Sequence, residues 1–365
     1  MAEPWRDVTR WRRELLHDNT RLDRASFDPK TGLRAAIFVV TPLVVGAATG
    51  YLFQGLLATI GANFLTNTEG SGPSATSLRM LGVACLVEPA AMALGTLAGT
   101  TGILAIPSVS LGVFFLLMTR SSGRWIQVGL IGALVFVVGV GLPGDTPSSS
   151  LERLWALMAG DLWALLGIAI QWRSRSATRG ADGPAHQPQD QRHIHPFHSG
   201  LSVHTEVFGQ AVVTAIAAGV GLAIGVTLHL PRDIWIMITI IIAIRPGIGP
   251  TINSTIVIVV GTVLGAMLGA AVTLEVGGLA PLAATLFVLA FGMFSARLVN
   301  QALFQALVTP FLIVLLNIIY PGDWWFAFAR IADVGIGGAL AIAAVYLHYV
   351  QLTHTGSREP AGLQS

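Results

Sequence analysis

IWIMITIIIAIRPGIGPTINSTIVIVVGTVLGAMLGAAVTL, residues 234–274, holds one charged side chain, Arg245, between the flanking Asp233 and Glu275. No water-facing surface can be built from such a stretch. Pro246 has no backbone N–H to continue a helix, so the run divides into a short apolar helix over 234–244 and a longer one over 254–274. A hydrocarbon layer about 30 Å thick is crossed by roughly 20 apolar residues, which suits the second piece and leaves the first short.

The rest of the chain has the same character. Of 365 residues, 53% are hydrophobic and 11% charged, and Lys30 is the only lysine; a soluble domain has about 25% charged residues. Mean hydropathy is +0.69. The bilayer is the solvent that fits. The net charge of +2 is small and its arginines form no stripe, so nucleic acid is excluded as a partner. No heptad seam, zinc spacing or phosphate loop occurs, and no cofactor is implied. Cys85 is the single cysteine, in an apolar run, and reads as a small buried hydrophobe. An enzyme needs a nucleophile, a base and an orienting group that converge, and no such set is present. About thirty mostly polar residues precede the first long apolar run, so no cleavable signal peptide is expected.

Apolar segments run near 35–53, 55–66, 80–99, 102–118, 125–142 and 154–171, and again near 208–228, 234–244, 254–274, 279–296, 302–320 and 331–350. The expected fold is therefore an all-α integral membrane protein with about twelve membrane segments. The second and eighth are short enough to be tilted, broken or re-entrant. Arginine placement orients them. With the N-terminus inside, the cytoplasmic side receives the basic residues from Arg6 to Arg34, then Arg79, Arg120, Arg124, Arg173, Arg175, Arg179, Arg192, Arg245, Arg297 and Arg358. The outer side keeps Arg153, Arg232 and Arg330. This positive-inside bias puts both termini in the cytoplasm and the protein in the cytoplasmic (inner) membrane.

One pattern is used twice. Arg120 and Arg297 stand 177 positions apart; so do Arg153…Gly160 and Arg330…Gly337. Gly-Leu-Pro-Gly-Asp at 141–145 returns as Ile-Tyr-Pro-Gly-Asp at 319–323, and Leu81-Gly82 as Val260-Gly261. Two parallel six-segment repeats follow, an arrangement known among transporters. The expected organisation is a cytoplasmic segment over 1–27 with the makings of an interfacial amphipathic helix, a first repeat over 28–172, a polar linker over 173–203, a second repeat over 204–350 and a tail over 351–365. His193, His195 and His198 in the linker have spacing that would hold a metal. Their polar, aperiodic setting favours a plain solvated connection, and no metal site is expected.

The second half carries a recognisable order of motifs: Ile234-Trp235, Ile244-Arg245-Pro246, Gly249-Pro250-Thr251, Val260-Gly261-Thr262, Arg297, Thr309-Pro310, Pro321-Gly322-Asp323 and Arg330…Asp333…Gly337-Gly338. It resembles the fusaric acid resistance protein-like family, whose relatives include the aromatic acid exporters, and more remotely the plant aluminium-activated malate transporters. The first half matches through Asp28-Pro29, Arg34-Ala-Ala and Arg79-Met-Leu-Gly82. The resemblance implies a permease that exports carboxylated, often aromatic, compounds. It departs at Ile258, where relatives place an arginine, and in the connection between the halves, where many carry a cytoplasmic domain.

Charges inside a bilayer face a partner or an aqueous cavity. Arg120, Arg297, Arg245 and Arg330 are the candidate substrate-binding residues, because a guanidinium holds a carboxylate with two parallel hydrogen bonds. Anchoring to headgroups is the plainer role for each. Glu88, mid-segment and followed by Pro89, is the first candidate for proton coupling, with Asp161 and Asp333 behind it. A hydrogen bond to a neighbouring helix is its plainer role, and an ion pair one turn apart is that of Arg330 and Asp333. Gly261, Gly265 and Gly269, four apart, read as a packing face. The expected function is export of small organic anions across the lipid bilayer, with proton coupling as one way to drive it. A passive organic-anion channel and a non-transporting membrane scaffold are the alternatives, and the sequence leaves the oligomeric state open.

Overall fold

The computed structural model describes residues 24–69, 74–119, 125–142, 147–179, 206–230, 233–318, 321 and 326–356. Among them are twelve α-helices, which we number in chain order: α1 Pro29–Thr49, α2 Leu52–Thr68, α3 Ala75–Gly99, α4 Ala105–Met118, α5 Ile126–Gly141, α6 Pro147–Arg179, α7 Glu206–Thr227, α8 Ile234–Ala243, α9 Ile248–Glu275, α10 Leu279–Ser295, α11 Gln301–Asn317 and α12 Phe326–Gly356. Each apolar segment expected from the sequence falls on one of them. Six helices are long and apolar enough to cross a membrane: α1, α3, α6, α7, α9 and α12. The chain is a multi-pass membrane protein.

Local chemistry sets the ends. Asp28 caps α1, accepting from the Lys30 and Thr31 N–H groups, each at 3.1 Å, and Pro29 opens the helix where its missing N–H is harmless. Gly50, at φ 82°, stops it and lets the chain turn tightly into α2. Asn300 caps α11 in the same manner as Asp28 caps α1. Two ends lie beyond the sequence expectation. The linker was expected from 173 and the tail from 351, yet α6 continues to Arg179 and α12 to Gly356. The apolar run stops earlier than the helix because no glycine or proline intervenes between Gly167 and Gly180, or between Gly338 and Gly356. The segment 1–23, most of the linker with its three histidines, and both Pro-Gly-Asp turns apart from Pro321 lie outside the described residues.

Close helix crossings build the interior. Gly160 of α6 meets the Ala58 carbonyl of α2, and Gly337 of α12 meets the Ile236 carbonyl of α8. A Cβ at Gly337 would stand 2.7 Å from that oxygen. The expected packing face is real: Gly261, Gly265 and Gly269 of α9 lie against Gln305, Thr309 and Ile313 of α11. Gly95 and Gly99 of α3 likewise approach the backbone of α5. Without a hydrophobic drive between helices in lipid, such backbone approach is what gains van der Waals contact. Across the molecule α1 packs on α10 and α4 packs on α7. The Asp28 N–H donates to the Ser295 carbonyl at 3.1 Å, tying the start of α1 to the end of α10. One buried cluster therefore joins Val39, Leu43 and Leu65 to Leu286, Met293 and Phe311. Outward-facing Leu86, Phe115, Met267 and Leu347 are exposed, as lipid contact requires.

The short helix α8 has ten residues, about 15 Å of rise. Its break is orderly. The Thr251 hydroxyl accepts the Arg245 N–H at 3.1 Å and lies 2.8 Å from the Gly247 carbonyl, to which it donates. Gly247, at φ 94°, carries the chain into α9. Backbone groups freed by the break are thus satisfied inside the protein, the condition for irregular chain at membrane depth.

Candidate functional site

Three groups of buried polar side chains occupy the interior. The first lies midway along α3 and α6. Glu88 and Asp161 are both fully buried, and each is near enough to feel the other's charge. The Thr68 hydroxyl, at the end of α2, donates to Glu88 Oε1 at 3.2 Å. Glu88 Oε2 and both Asp161 oxygens have no hydrogen-bond partner among the described residues. Space for Asp161 comes from Gly61, where a Cβ would come within 2.7 Å of Oδ1. Pro89 follows Glu88 inside α3 and removes one backbone donor there.

The second group gathers at the end of α2. Arg34 of α1 grips Glu69 with both terminal nitrogens, Nη1 donating to Oε1 at 3.0 Å and Nη2 to Oε2. Trp172 of α6 adds its indole N–H to the same Oε1 at 3.2 Å. Arg297 arrives from the turn between α10 and α11. Its guanidinium donates to the carbonyls of Thr66 at 3.0 Å and Asn67 at 2.8 Å, capping α2 where the helix dipole is negative. Burial pushes this guanidinium below its ordinary value; Glu69 opposes the shift and Arg34 adds to it.

The third group lies toward the opposite ends of the helices. Arg153 is buried in α6 and donates from Nη1 to the Thr96 hydroxyl at 3.1 Å and the Leu142 carbonyl at 3.0 Å. Arg330, 177 positions on, is buried in α12 and lies over the Trp235 ring, 3.8 Å from its centroid. Its Nε and Nη1 have no hydrogen-bond partner among the described residues. Asp333 feels the charges of Asp233 and Arg330, but the arginine's near contact is the aromatic face and not this carboxylate. Cation–π contact of a desolvated arginine is worth about 2 kcal/mol. Asp233 precedes α8, where burial pushes its carboxyl up and the Ile234 N–H opposes that. Arg245 sits half-buried in the break after α8.

The sequence-chosen residues are thus separated. Glu88 and Asp161 are brought together; Arg330 and Asp333 share a second site; Arg245 stands in the α8 break; Arg297 holds the end of α2. Arg120 lies outside the described residues. Sequence reading missed Arg34, Glu69, Thr68 and Trp172. Arg34 had counted as one basic residue among many at the inner side and as part of the Arg34-Ala-Ala motif, while Glu69, Thr68 and Trp172 had drawn no reading. No group of His, Cys, Asp and Glu suited to a metal occurs among the described residues.

Residues 209–344, from the first turn of α7 into α12, match the family model described as fusaric acid resistance protein-like. Comparison with curated proteins and with solved structures gives no match.

Proposed function

We propose that this multi-pass chain, with its fusaric acid resistance protein-like second half, is a permease that exports small organic carboxylates across the cytoplasmic membrane in exchange for protons. The observation that carries the reading is the buried pair Glu88 and Asp161. Three of its four carboxyl oxygens lack a hydrogen-bond partner among the described residues. Two ionised carboxylates side by side in a dry interior repel and lose their hydration. A proton taken up from one side and released to the other relieves that strain in alternate states, which is what coupling needs. A scaffold has no use for such a pair.

Arg330 and Arg245 are the substrate contacts this reading favours, since among the described residues their guanidinium groups are not committed to carbonyls as Arg297 is. An organic anion that sheds water on entering the membrane regains part of its solvation from such groups. Asp333 beside Arg330 is a second proton-exchange candidate. Twelve membrane crossings in two parallel repeats are supported by reciprocal packing: α1 on α10 answers α4 on α7, and the Gly160 crossing answers that of Gly337. Cytoplasmic termini are supported by the arginine bias.

Reconstituted vesicles loaded with a labelled aromatic acid test the proposal. Efflux should accelerate when an inward proton gradient is imposed and should lose that dependence with a protonophore. Flux that merely follows the anion's own electrochemical gradient would establish a passive channel instead.

A further inference from the structure

The Glu69 carboxylate is held as a ligand is held. Arg34 presents a planar two-pronged fork, and Trp172 supplies a third donor. This is the geometry by which proteins recognise a free carboxylate. Both donors stand on helices, α1 and α6. Glu69 does not: it follows the last residue of α2 with extended backbone, at φ −58° and ψ 124°. The receptor stands on helices, and its occupant lies past the last residue of α2.

Charge is unbalanced there as well. Arg34 and Glu69 are 9% and 10% exposed, and Arg297 lies close enough for both charges to act on it. Two guanidinium groups thus face one carboxylate. The carbonyls at the end of α2 add about half a negative charge, so the place stays positive. Nor does the fold call for an ion pair. Buried pairs add little net stability against apolar replacements. Stepping 177 positions from Arg34 and Glu69 gives Ala211 and Pro246, and these two, with Gln210, Val207, Leu117 and Ile126, line a cavity of about 130 Å³.

We infer that the Arg34 fork is a carboxylate receptor beside the start of α1, and that Glu69 is its resident occupant, displaced by the carboxylate of an incoming organic acid. The inference rests on the permease reading for the class of ligand. Glu69 then keeps the receptor closed to water and to neutral molecules, and only an anion can compete it away. Once displaced, the Glu69 carboxylate leaves Arg34 and Trp172 to the substrate.

Equilibrium binding of labelled benzoate to the purified full chain tests this, with benzamide as the uncharged control and thermal melting to verify each fold. Glu69→Gln removes the competing charge and should tighten benzoate binding about tenfold. The double variant Arg34→Met, Glu69→Met removes the pair at similar bulk and should lack that gain, binding benzoate no more tightly than the parent chain. If that double variant does not fold, Arg34→Gln with Glu69→Gln serves in its place. Benzoate binding that is absent, unchanged or weaker in folded Glu69→Gln, or tightened to the same degree in the folded double variant, overturns the inference. The permease reading fails separately: a receptor that behaves as described in a chain that moves no benzoate across vesicles leaves the receptor standing and removes the transporter.

Discussion

The two halves of the molecule pack alike and differ in what they bury. Around α2, α3 and α6 the interior holds Glu88, Asp161, Thr68 and, at the helix end, the Arg34–Glu69 pair. Around α8, α9 and α12 the same order of helices closes on glycine. No ionisable residue occurs in α9 before Glu275, and Gly338 stands 177 positions after Asp161, so close to Thr255 that a Cβ would lie 2.6 Å from its methyl group. Among the described residues of the second half, the buried charged side chains are Arg330 and Asp333, with Arg245 half-buried in the α8 break and Arg297 committed to the end of α2. The crossings are common property and supply the architecture; the charges belong to particular places and are not required by it. A half can be built with or without a mid-membrane carboxyl pair, so the pair calls for a chemical explanation.

The widest break in this comparison would come from the crossings themselves. Gly160→Leu and Gly337→Leu each force a side chain into a backbone carbonyl across the crossing, at a cost of several kcal/mol beyond the 1–3 typical of overpacking. Neither variant should yield a folded chain in detergent, as judged by size-exclusion profile. A folded Gly337→Leu chain beside an unfolded Gly160→Leu chain would show that the halves are not held alike. Next in size is Glu88→Gln. It should fold and bind anions, yet its vesicle efflux should no longer respond to a proton gradient. Efflux that stays protonophore-sensitive would assign Glu88 to structure and erase the contrast between the halves.

A smaller loss is expected for Arg297→Gln, which strips charge-assisted hydrogen bonds from the end of α2. The expected cost is about 1.5–3 kcal/mol, read as a fall in melting temperature, with Arg297→Lys recovering part of it. The least effect belongs to Ala211→Leu, which extends a side chain into the 130 Å³ cavity. Its stability should stay within about 1.5 kcal/mol of the parent. A large loss there would mean that the cavity walls are already tightly packed and that the two helix ends are closer in kind than their residues imply.

Much of this was legible because lipid leaves the chain few choices. The run from Ile234 to Leu274 had to be helix on both sides of Pro246, and every apolar segment fell on one helix. Family-like motifs in the second half were readable for a related reason: Pro246 cannot continue a helix and so marks a break. The polar groups were less readable. Arg34 meets Glu69 across 35 positions and Trp172 meets it across 103, and no local period links them. Arg297 looked like an anion ligand because a turn arginine carries no sign of the carbonyls it will cap. Glu88 was readable from its central place in a long apolar run; its neighbour Thr68 was not, lying at the end of a different helix. Helix ends at Arg179 and Gly356 were missed because a polar helix leaving the membrane keeps its hydrogen bonds after its apolar face has ended.

The ten-residue length of α8 bears on electricity as much as on packing. Its rise of about 15 Å is half of a hydrocarbon layer about 30 Å thick. Where water follows an opened path to the break at Arg245–Gly247, the membrane voltage falls across that half alone, and the local field doubles. A charge moving past α8 then senses nearly the whole potential, worth about 2.3 kcal/mol per 100 mV for each elementary charge. Flux of a monovalent anion by this route should therefore rise steeply with voltage, a dependence that electrical recording from a planar bilayer can measure.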